Sequence, residues 1–182
     1  MAEKTVKLTT IIFVSVASAL ILTGTGVGIW LGVKNLNEVP HQEPSWSFKI
    51  SGNIVGNDFN ITLDELFEMP SLEQEYTIRS KTNNTDVYKG VQLTHLFTEV
   101  IDIDPTAENV TFIAWDGYSW KFSISELLGN DSYILAYEKN DEYLTSYLED
   151  GIGYLYLIVG STEDYPFNGQ RCVKSVVELS FA

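Results

Sequence analysis

One stretch near the N-terminus constrains this chain more than any other, because 26 consecutive residues between Lys7 and Lys34 carry no charge. A helix of about 20 apolar residues crosses the hydrocarbon core of a bilayer, so residues 8–33 are long enough to span a membrane. A cleaved signal peptide, the alternative, has an apolar region of only about 7–15 residues followed by a small-residue cleavage site. Here the small residues Ala17-Ser18-Ala19 lie in the middle of a longer run, which favours an uncleaved transmembrane anchor helix.

The charges that flank this run predict its orientation. Lys4 and Lys7 precede it and Lys34 follows it, and positive charge is typical of the cytoplasmic side. We therefore expect residues 1–7 to be a cytoplasmic tail and the rest of the chain to lie outside, as a single-pass protein of the plasma membrane. Residues 34–45 contain two prolines and few apolar residues, and they are interpreted as a linker to an exterior domain at 46–182.

Three glycines at intervals of four, Gly24, Gly28 and Gly32, fall on one face of the predicted transmembrane helix. Small residues at this spacing allow a second helix to approach closely. The simpler explanation is that glycine is common in membrane helices. The pattern predicts a protein partner or self-association in the membrane.

Net charge excludes some partners of the exterior part. The whole chain carries −14; removing Lys4, Lys7 and Lys34 from its 11 basic residues and Glu3 from its 25 acidic ones leaves 8 against 24, a net charge of −16. Such a domain repels phosphate backbones, so nucleic acid is not an expected partner. It is also repelled by anionic lipid and should stand off the membrane surface.

The order of elements predicted for residues 46–182 is strands interleaved with short helices. Alternating apolar residues predict strands in "WSFKISG" and "NVTFIAW", and helical spacing predicts helices in "TLDELFEM" and "QLTHLFTEVI". Two capping-box patterns, Thr62-x-x-Glu65 and Ser123-x-x-Glu126, predict helix starts. Several connections are too short to cross over between parallel strands. The sequence therefore predicts an α+β fold with mixed, mainly antiparallel sheets.

Candidates for catalysis or metal binding are few. The single cysteine excludes an intrachain disulfide and a thiolate cluster, and His95, beside the apolar face of its helix, is interpreted as a packing or surface residue. Paired carboxylates lack the spacing of a calcium loop and are interpreted as a solvated acidic face. No catalytic or metal-ligating residue is assigned. Four Asn-x-Ser/Thr sequences permit glycosylation outside the cell, at Asn60, Asn83, Asn109 and Asn130.

Taken in order, "ITLDELFEMP", "YKGVQLTHLF", "NVTFIAWDGYSWKFSISELL", "GYLYLIVG" and "VKSVVELSF" resemble the molybdopterin-binding domain of the sulfite-oxidase-fold oxidoreductases. The resemblance covers residues 46–182 and implies an α+β fold of mixed sheets. In catalytic members it implies a cysteine, at the end of the strand that here reads "YTIRS", whose thiolate ligates molybdenum.

Two departures from the family pattern concern the metal. Arg79 and Ser80 stand where the resemblance places the cysteine, and Cys172 lies elsewhere, in the last strand region. Tyr156 stands where the family commonly has an arginine, and two prolines of the same segment are missing. Gly90-Val91, interpreted as a turn, and the Asp116-Gly117 hairpin turn are retained.

These departures lead to two hypotheses. In the first, the exterior domain has lost molybdenum and acts as a binding or accessory subunit of a membrane complex. In the second, it is a molybdopterin-dependent oxidoreductase with Ser80, water or oxo as the metal ligand. The polar run from Lys81 to Asp86 is interpreted as a loop after the "YTIRS" strand. In either case we expect a ligand cleft between the Arg79–Asp86 loop and the Asp116–Tyr118 turn, with Arg79, Ser80, Asp116 and Tyr118 as candidate residues. Arg79→Ala is expected to alter binding more than folding.

The aromatic residues around the same hairpin leave a further question open. Trp115, Tyr118, Trp120 and Phe122 alternate along the chain, so about half of them fill a core. The others either pair across strands or line a ligand surface.

Overall fold

The structure is a computed structural model that describes residues 46–149 and 151–182. The strands are β1 (Ser47–Gly52), β2 (Phe59–Thr62), β3 (Ser71–Arg79), β4 (Asn83–Gln92), β5 (Asn109–Ala114), β6 (Ser119–Ser123), β7 (Ile134–Lys139), β8 (Glu142–Tyr143), β9 (Tyr156–Ile158) and β10 (Val176–Phe181). The helices are α1 (Leu63–Glu68), α2 (Leu93–His95), which continues as a π-helical turn (Leu96–Val100), and α3 (Ile124–Leu128), with 3₁₀ turns at Tyr147–Glu149 and Asn168–Gln170.

The first sheet has the strand order β2-β1-β10-β5-β6. Its one parallel pair joins β1 to the last strand, β10, and its other three pairs are antiparallel. The predicted hairpin is β5–β6, whose turn places Gly117 at a φ of 84°. Glycine adopts this left-handed backbone without the steric cost that a β-carbon would bring.

The second sheet contains β3, β4, β7 and β8 in that order, and β9 also pairs with β7. Each of its pairs is antiparallel. The predicted α+β fold with mixed, mainly antiparallel sheets and short helices is therefore confirmed for the described residues.

One hydrophobic cluster takes residues from both sheets and from the helices. Phe48 and Phe112 come from the first sheet, Leu135 and Leu157 from the second, and each is at most 1% exposed. Burying a side chain of this size stabilises the fold by about 1.5–3 kcal/mol, so the cluster is the main source of stability.

The two predicted capping boxes have different outcomes. At α1, Thr62 Oγ1 accepts the backbone N–H of Glu65 at 3.2 Å, and the Glu65 carboxylate accepts the backbone N–H of Thr62 at 2.7 Å. At α3, Ser123 Oγ accepts the N–H of Glu126 at 3.2 Å, but the Glu126 carboxylate bonds to Arg171 instead. The second box is therefore only half formed.

Two local predictions were wrong. The polar run from Lys81 to Asp86 is not a long loop, because β4 begins at Asn83 and leaves only residues 80–82 as the connection. Gly90 lies inside β4 rather than in a turn. A β-carbon there would stand 2.3 Å from the backbone oxygen of Leu135, so close packing of β7 requires glycine at this position.

The tail at 1–7, the predicted transmembrane helix at 8–33 with its three glycines, and the linker at 34–45 lie outside the described residues. Within residues 46–149 and 151–182, no helix has the length and apolarity needed to cross a membrane.

Candidate functional site

A polar cleft of about 190 Å³ lies at the end of β3. The β3–β4 register pairs Ile78 with Asn84 and Tyr76 with Asp86. Side chains on a strand alternate between faces, so Ile78 and Ser80 share one face with Asn84, Asp86 and Tyr88. Lys139 from β7, Tyr156 from β9 and Lys174 complete the polar part of the lining.

Ser80 closes the connection between β3 and β4 and lines this cleft. Its hydroxyl donates to the backbone oxygen of Thr82 at 3.1 Å, and its backbone N–H donates to the same oxygen at 3.2 Å. The hydroxyl thus has a structural partner in the turn.

The charges in the cleft are partly neutralised. Asp86 lies 2.9 Å from the Lys139 ammonium and accepts a hydrogen bond of 2.9 Å from the Asn140 side-chain amide. The Asn140 and Lys139 hydrogen bonds hold the pKa of Asp86 below its usual value, so the carboxylate is ionised at neutral pH. Lys174, in contrast, has no carboxylate within ion-pair distance in the described part of the chain, and its Nζ lies 5.7 Å from the centre of the Tyr156 ring.

Tyr88 and Tyr156 form the buried wall of the cleft, and each is 3% exposed. Their rings meet edge to face with centroids 5.8 Å apart. Burial raises the pKa of Tyr88 to about 12 and also raises that of Tyr156, so both hydroxyls are protonated at neutral pH. No described residue forms a hydrogen bond with the hydroxyl of Tyr88 or with that of Tyr156.

Cys172 does not line this cleft. Its side chain is 5% exposed, its thiol donates to the backbone oxygen of Val159 at a sulfur–oxygen distance of 3.7 Å, and its backbone N–H donates to the oxygen of Asn168. Burial raises the pKa of the Cys172 thiol to about 11. The sulfur is therefore a protonated, packed side chain rather than a thiolate open to a ligand.

The four residues predicted to share one cleft are not brought together around it. The 3₁₀ turn at Asn168–Gln170 connects the two regions instead: Asn168 Oδ1 accepts the backbone N–H of Arg79 at 2.7 Å, and the Tyr118 hydroxyl donates to the backbone oxygen of Gln170. A β-carbon on Gly169 would stand 2.9 Å from Ser80 Cβ, so the turn packs tightly against β3.

Of the predicted residues, Ser80 is the one that lines the cleft. Arg79 is exposed and, by strand alternation, lies on the opposite face from Ser80. Asp116 accepts the backbone N–H of Tyr118 at 2.9 Å and serves the hairpin turn. The cleft that Ser80 lines lies between β3, β4, β7 and β9.

The aromatic residues near the hairpin differ in exposure. Phe122 is buried, and Trp120 contacts the Tyr165 ring at 6.0 Å. Trp115 is 59% exposed and lines a second, mainly apolar pocket of about 310 Å³ with Trp46, Tyr147, Leu148 and Tyr154.

Sequence reasoning missed Arg171, which is 1% exposed. Its guanidinium carbon lies 5.0 Å from the Phe122 ring centre and 4.7 Å from that of Tyr165, and its Nη2 donates to the Glu126 carboxylate. A buried arginine inside an apolar strand region gives no periodic signal. The Glu126 carboxylate would close the capping box at the start of α3, but in the structure it binds Arg171 instead.

The four predicted glycosylation residues differ in exposure. Asn60 and Asn83 are exposed, whereas Asn109 and Asn130 are half buried. The side-chain oxygen of Asn130 also accepts two hydrogen bonds from Ser132.

Comparisons with known proteins agree with this architecture. Sulfane dehydrogenase SoxCD from Paracoccus pantotrophus has a similar structure, with a TM-score of 0.60 and 18% sequence identity. The match covers 75% of this chain but only 38% of that chain, and at this identity it shows the fold alone. No curated protein matches the sequence.

The sequence itself matches a family model. The model of the oxidoreductase molybdopterin-binding domain covers residues 36–147, more than half of the chain. This match agrees with the α+β sheets and with the resemblance seen in the sequence motifs. The chain therefore belongs to the oxidoreductase molybdopterin-binding domain family and has its sulfite-oxidase-like fold.

Proposed function

We propose that this protein is a membrane-anchored member of the family that works without molybdenum, as a binding or accessory subunit of a membrane complex. Residues 8–33 form its anchor, and residues 46–182 lie outside the plasma membrane. The observation that carries the proposal is the side chain at the end of β3: a serine hydroxyl stands where the family resemblance expects a metal-binding thiolate.

The donor atoms of the cleft do not fit the metal. Molybdenum held by a dithiolene takes a soft sulfur ligand, whereas the lining described above offers hydroxyl, amide, ammonium and carboxylate groups. The Ser80 hydroxyl already donates to Thr82. Cys172 is turned toward Val159 and stays protonated. No group of three or more metal-binding side chains occurs within residues 46–149 and 151–182.

The size of the cleft also argues against a bound molybdenum cofactor. Its volume of about 190 Å³ is below the roughly 300–1,000 Å³ that is typical of pockets for drug-sized ligands and cofactors. A pterin phosphate also needs positive charge, and Tyr156 replaces the arginine that the resemblance expects. The lysines that line the cleft are Lys174 and Lys139, and Lys139 is already paired with Asp86.

The accessory role rests on sequence features of the N-terminal part. Gly24, Gly28 and Gly32 supply a helix face that accepts a close neighbour. The test is mild detergent extraction of the full-length chain from its native membrane, followed by native mass measurement. A stoichiometric complex with another protein, or with a second copy, supports the proposal. A lone monomer contradicts this part of it.

The alternative function, a molybdopterin-dependent oxidoreductase with a non-cysteine ligand, makes a different spectroscopic prediction. Full-length protein made in a cofactor-producing host would then show visible absorption bands of a molybdenum dithiolene. We expect no such bands. A molybdenum-loaded enzyme with the same fold, made in the same host, is the positive control.

A further inference from the structure

The apolar pocket of about 310 Å³ that includes Trp46, Trp115, Tyr147, Leu148 and Tyr154 in its lining is here named the tryptophan pocket. We propose that it binds a segment of a partner protein in which a large apolar side chain lies beside lysine or arginine. This assignment rests on the proposed function, because it identifies the surface of the exterior domain that contacts the other subunit of the membrane complex.

Three side chains of the tryptophan pocket are mostly exposed to solvent. Leu148 is 82% exposed, Tyr147 60% and Trp115 59%. Single exposed apolar residues are normal on a protein surface, whereas several in one patch mark an interaction site. Tryptophan and tyrosine are also among the residue types that contribute most to binding at protein interfaces. The pocket therefore has the composition of the centre of a protein interface.

Hydrogen bonds and close packing hold the walls of the pocket in place. The backbone N–H of Trp115 donates to the backbone oxygen of Ser175 at 3.0 Å, and the Ser175 hydroxyl donates to that of Ile152 at 2.8 Å. The N–H of Gly153 donates to the oxygen of Thr145 at 3.0 Å, and a β-carbon on Gly153 would overlap Ser175. A preformed pocket loses little conformational entropy when a partner binds.

The surrounding charge determines the chemistry of the partner. None of the described residues that line the pocket is charged. The residues that follow Trp115 and Leu148 in the sequence, Asp116 and Glu149, are exposed carboxylates. Lys174, the basic residue nearest in sequence to the lining, lines the polar cleft at the end of β3 instead. Basic residues beside the apolar side chain of the partner would complement this charge.

The same features argue against two other occupants. A second copy of the chain would bring Asp116 and Glu149 close to the same residues of its partner, and like charges that face each other weaken association. A bilayer has no protruding side chain to fill a concave pocket, and anionic lipid repels a domain with a net charge of −16.

The position of the pocket in the chain suits a partner in the same membrane. Trp46, one of the lining residues, directly follows the linker at 34–45. A linker of 12 residues spans at most about 40 Å when it is fully extended. The exterior part of a neighbouring membrane subunit is therefore within reach of the pocket.

Site-specific photo-crosslinking of the full-length chain in its native membrane tests the proposal. A benzophenone amino acid replaces Leu148, whose side chain is mostly in solvent, so that the substitution leaves the core unchanged. The matched control carries the same amino acid at Leu128, an exposed leucine of α3 that does not line the pocket. Mass spectrometry then identifies the residues that are joined to each position.

We expect the probe at Leu148 to join a segment of another protein in which a large apolar residue lies next to lysine or arginine. Its yield should be at least about fivefold higher than that of the probe at Leu128. In a second measurement, Leu148→Ser should lower recovery of the complex in mild detergent by about fivefold or more. Leu128→Ser should change that recovery by less than about twofold.

Four results would overturn the proposal: no adduct at Leu148 beyond that at Leu128, adducts with lipid or a second copy only, a joined segment without a basic residue, or equal loss of complex in the two serine variants. Each of them leaves the proposed function standing as long as the detergent extract contains a complex. A lone monomer, in contrast, would overturn the accessory role and this docking surface together.

Discussion

The side chain of Asn168 accepts the backbone N–H of Arg79, the last residue of β3, at 2.7 Å. Its amide nitrogen donates to the backbone oxygens of Val159 at 2.7 Å and Thr77 at 3.2 Å. Asn168 is 1% exposed, so these bonds are made away from water. This one side chain therefore fixes the 3₁₀ turn against the end of β3, where Ser80 enters the cleft.

Asn168→Ala should lower the free energy of unfolding by about 3 kcal/mol, because it leaves buried backbone groups of β3 and of Val159 without partners. Urea denaturation of the full-length chain, followed by tryptophan fluorescence, measures the change. Asn57→Ala, at an exposed asparagine, is the control and should change stability by less than about 0.5 kcal/mol. Equal effects of the two substitutions would contradict the assigned role of Asn168.

The buried Arg171 predicts a second stability effect. Glu126→Gln removes the charge that faces its guanidinium, and we expect a loss of roughly 3 kcal/mol because a buried charge is left unpaired. Combining it with Arg171→Met should recover much of this loss, since both charges are then gone. Glu108→Gln, at an exposed glutamate, should cost less than about 0.5 kcal/mol. A double variant that is less stable than Glu126→Gln alone would show that the guanidinium is not destabilising when unpaired.

The Cys172 thiol predicts a pH dependence on the alkaline side. Its pKa is raised from 9.0 to about 11 by burial, so above pH 9 the unfolded chain releases a proton that the folded chain retains. Stability is therefore complete below pH 9 and falls as the pH rises through 11, by on the order of 1 kcal/mol at pH 10. Cys172→Ser removes this titration, and its denaturation midpoints should fall less steeply between pH 8.5 and about 10.5. Identical slopes for the two proteins would refute the assignment.

The glycine face of the predicted transmembrane helix gives a prediction for the full-length chain in membranes. Gly28→Leu places a large side chain on that face and should reduce recovery of the complex or dimer. Gly26→Leu makes the same change on a different face of the helix and is the matched control. Chemical cross-linking in intact membranes measures both. Loss of association in both variants, or in neither, would argue against this face as the contact.

The sequence predicted those strands and helices whose local residue pattern agrees with their packing in the folded protein. Alternation predicted β1 and the β5–β6 hairpin, and the Thr62-x-x-Glu65 box predicted the start of α1. The run from Lys81 to Asp86 was wrongly predicted to be a loop. In a hairpin at the edge of a sheet, strand pairing can continue through exposed polar residues, whose pattern is the same as that of a loop. Side-chain pattern alone does not report backbone pairing of this kind.

The site was harder to predict than the fold. Ser80 was identified because the end of a strand is a fixed position in the resemblance. Lys174 and Tyr88 were not, since they come from segments far apart in sequence and their meeting depends on how β4, β9 and the last connection pack. Asp116 and Tyr118 were assigned to the site because their hairpin turn is retained from the family pattern, but the turn at Asn168–Gln170 lies between them and Ser80.

Quantitative molybdenum and pterin analysis of the full-length protein, purified from a host that makes the cofactor, tests the central claim most directly. With a serine at the end of β3 and Cys172 packed against Val159, we predict a molybdenum content far below one atom per chain and no stoichiometric pterin. One molybdenum atom and one pterin per chain would contradict the account.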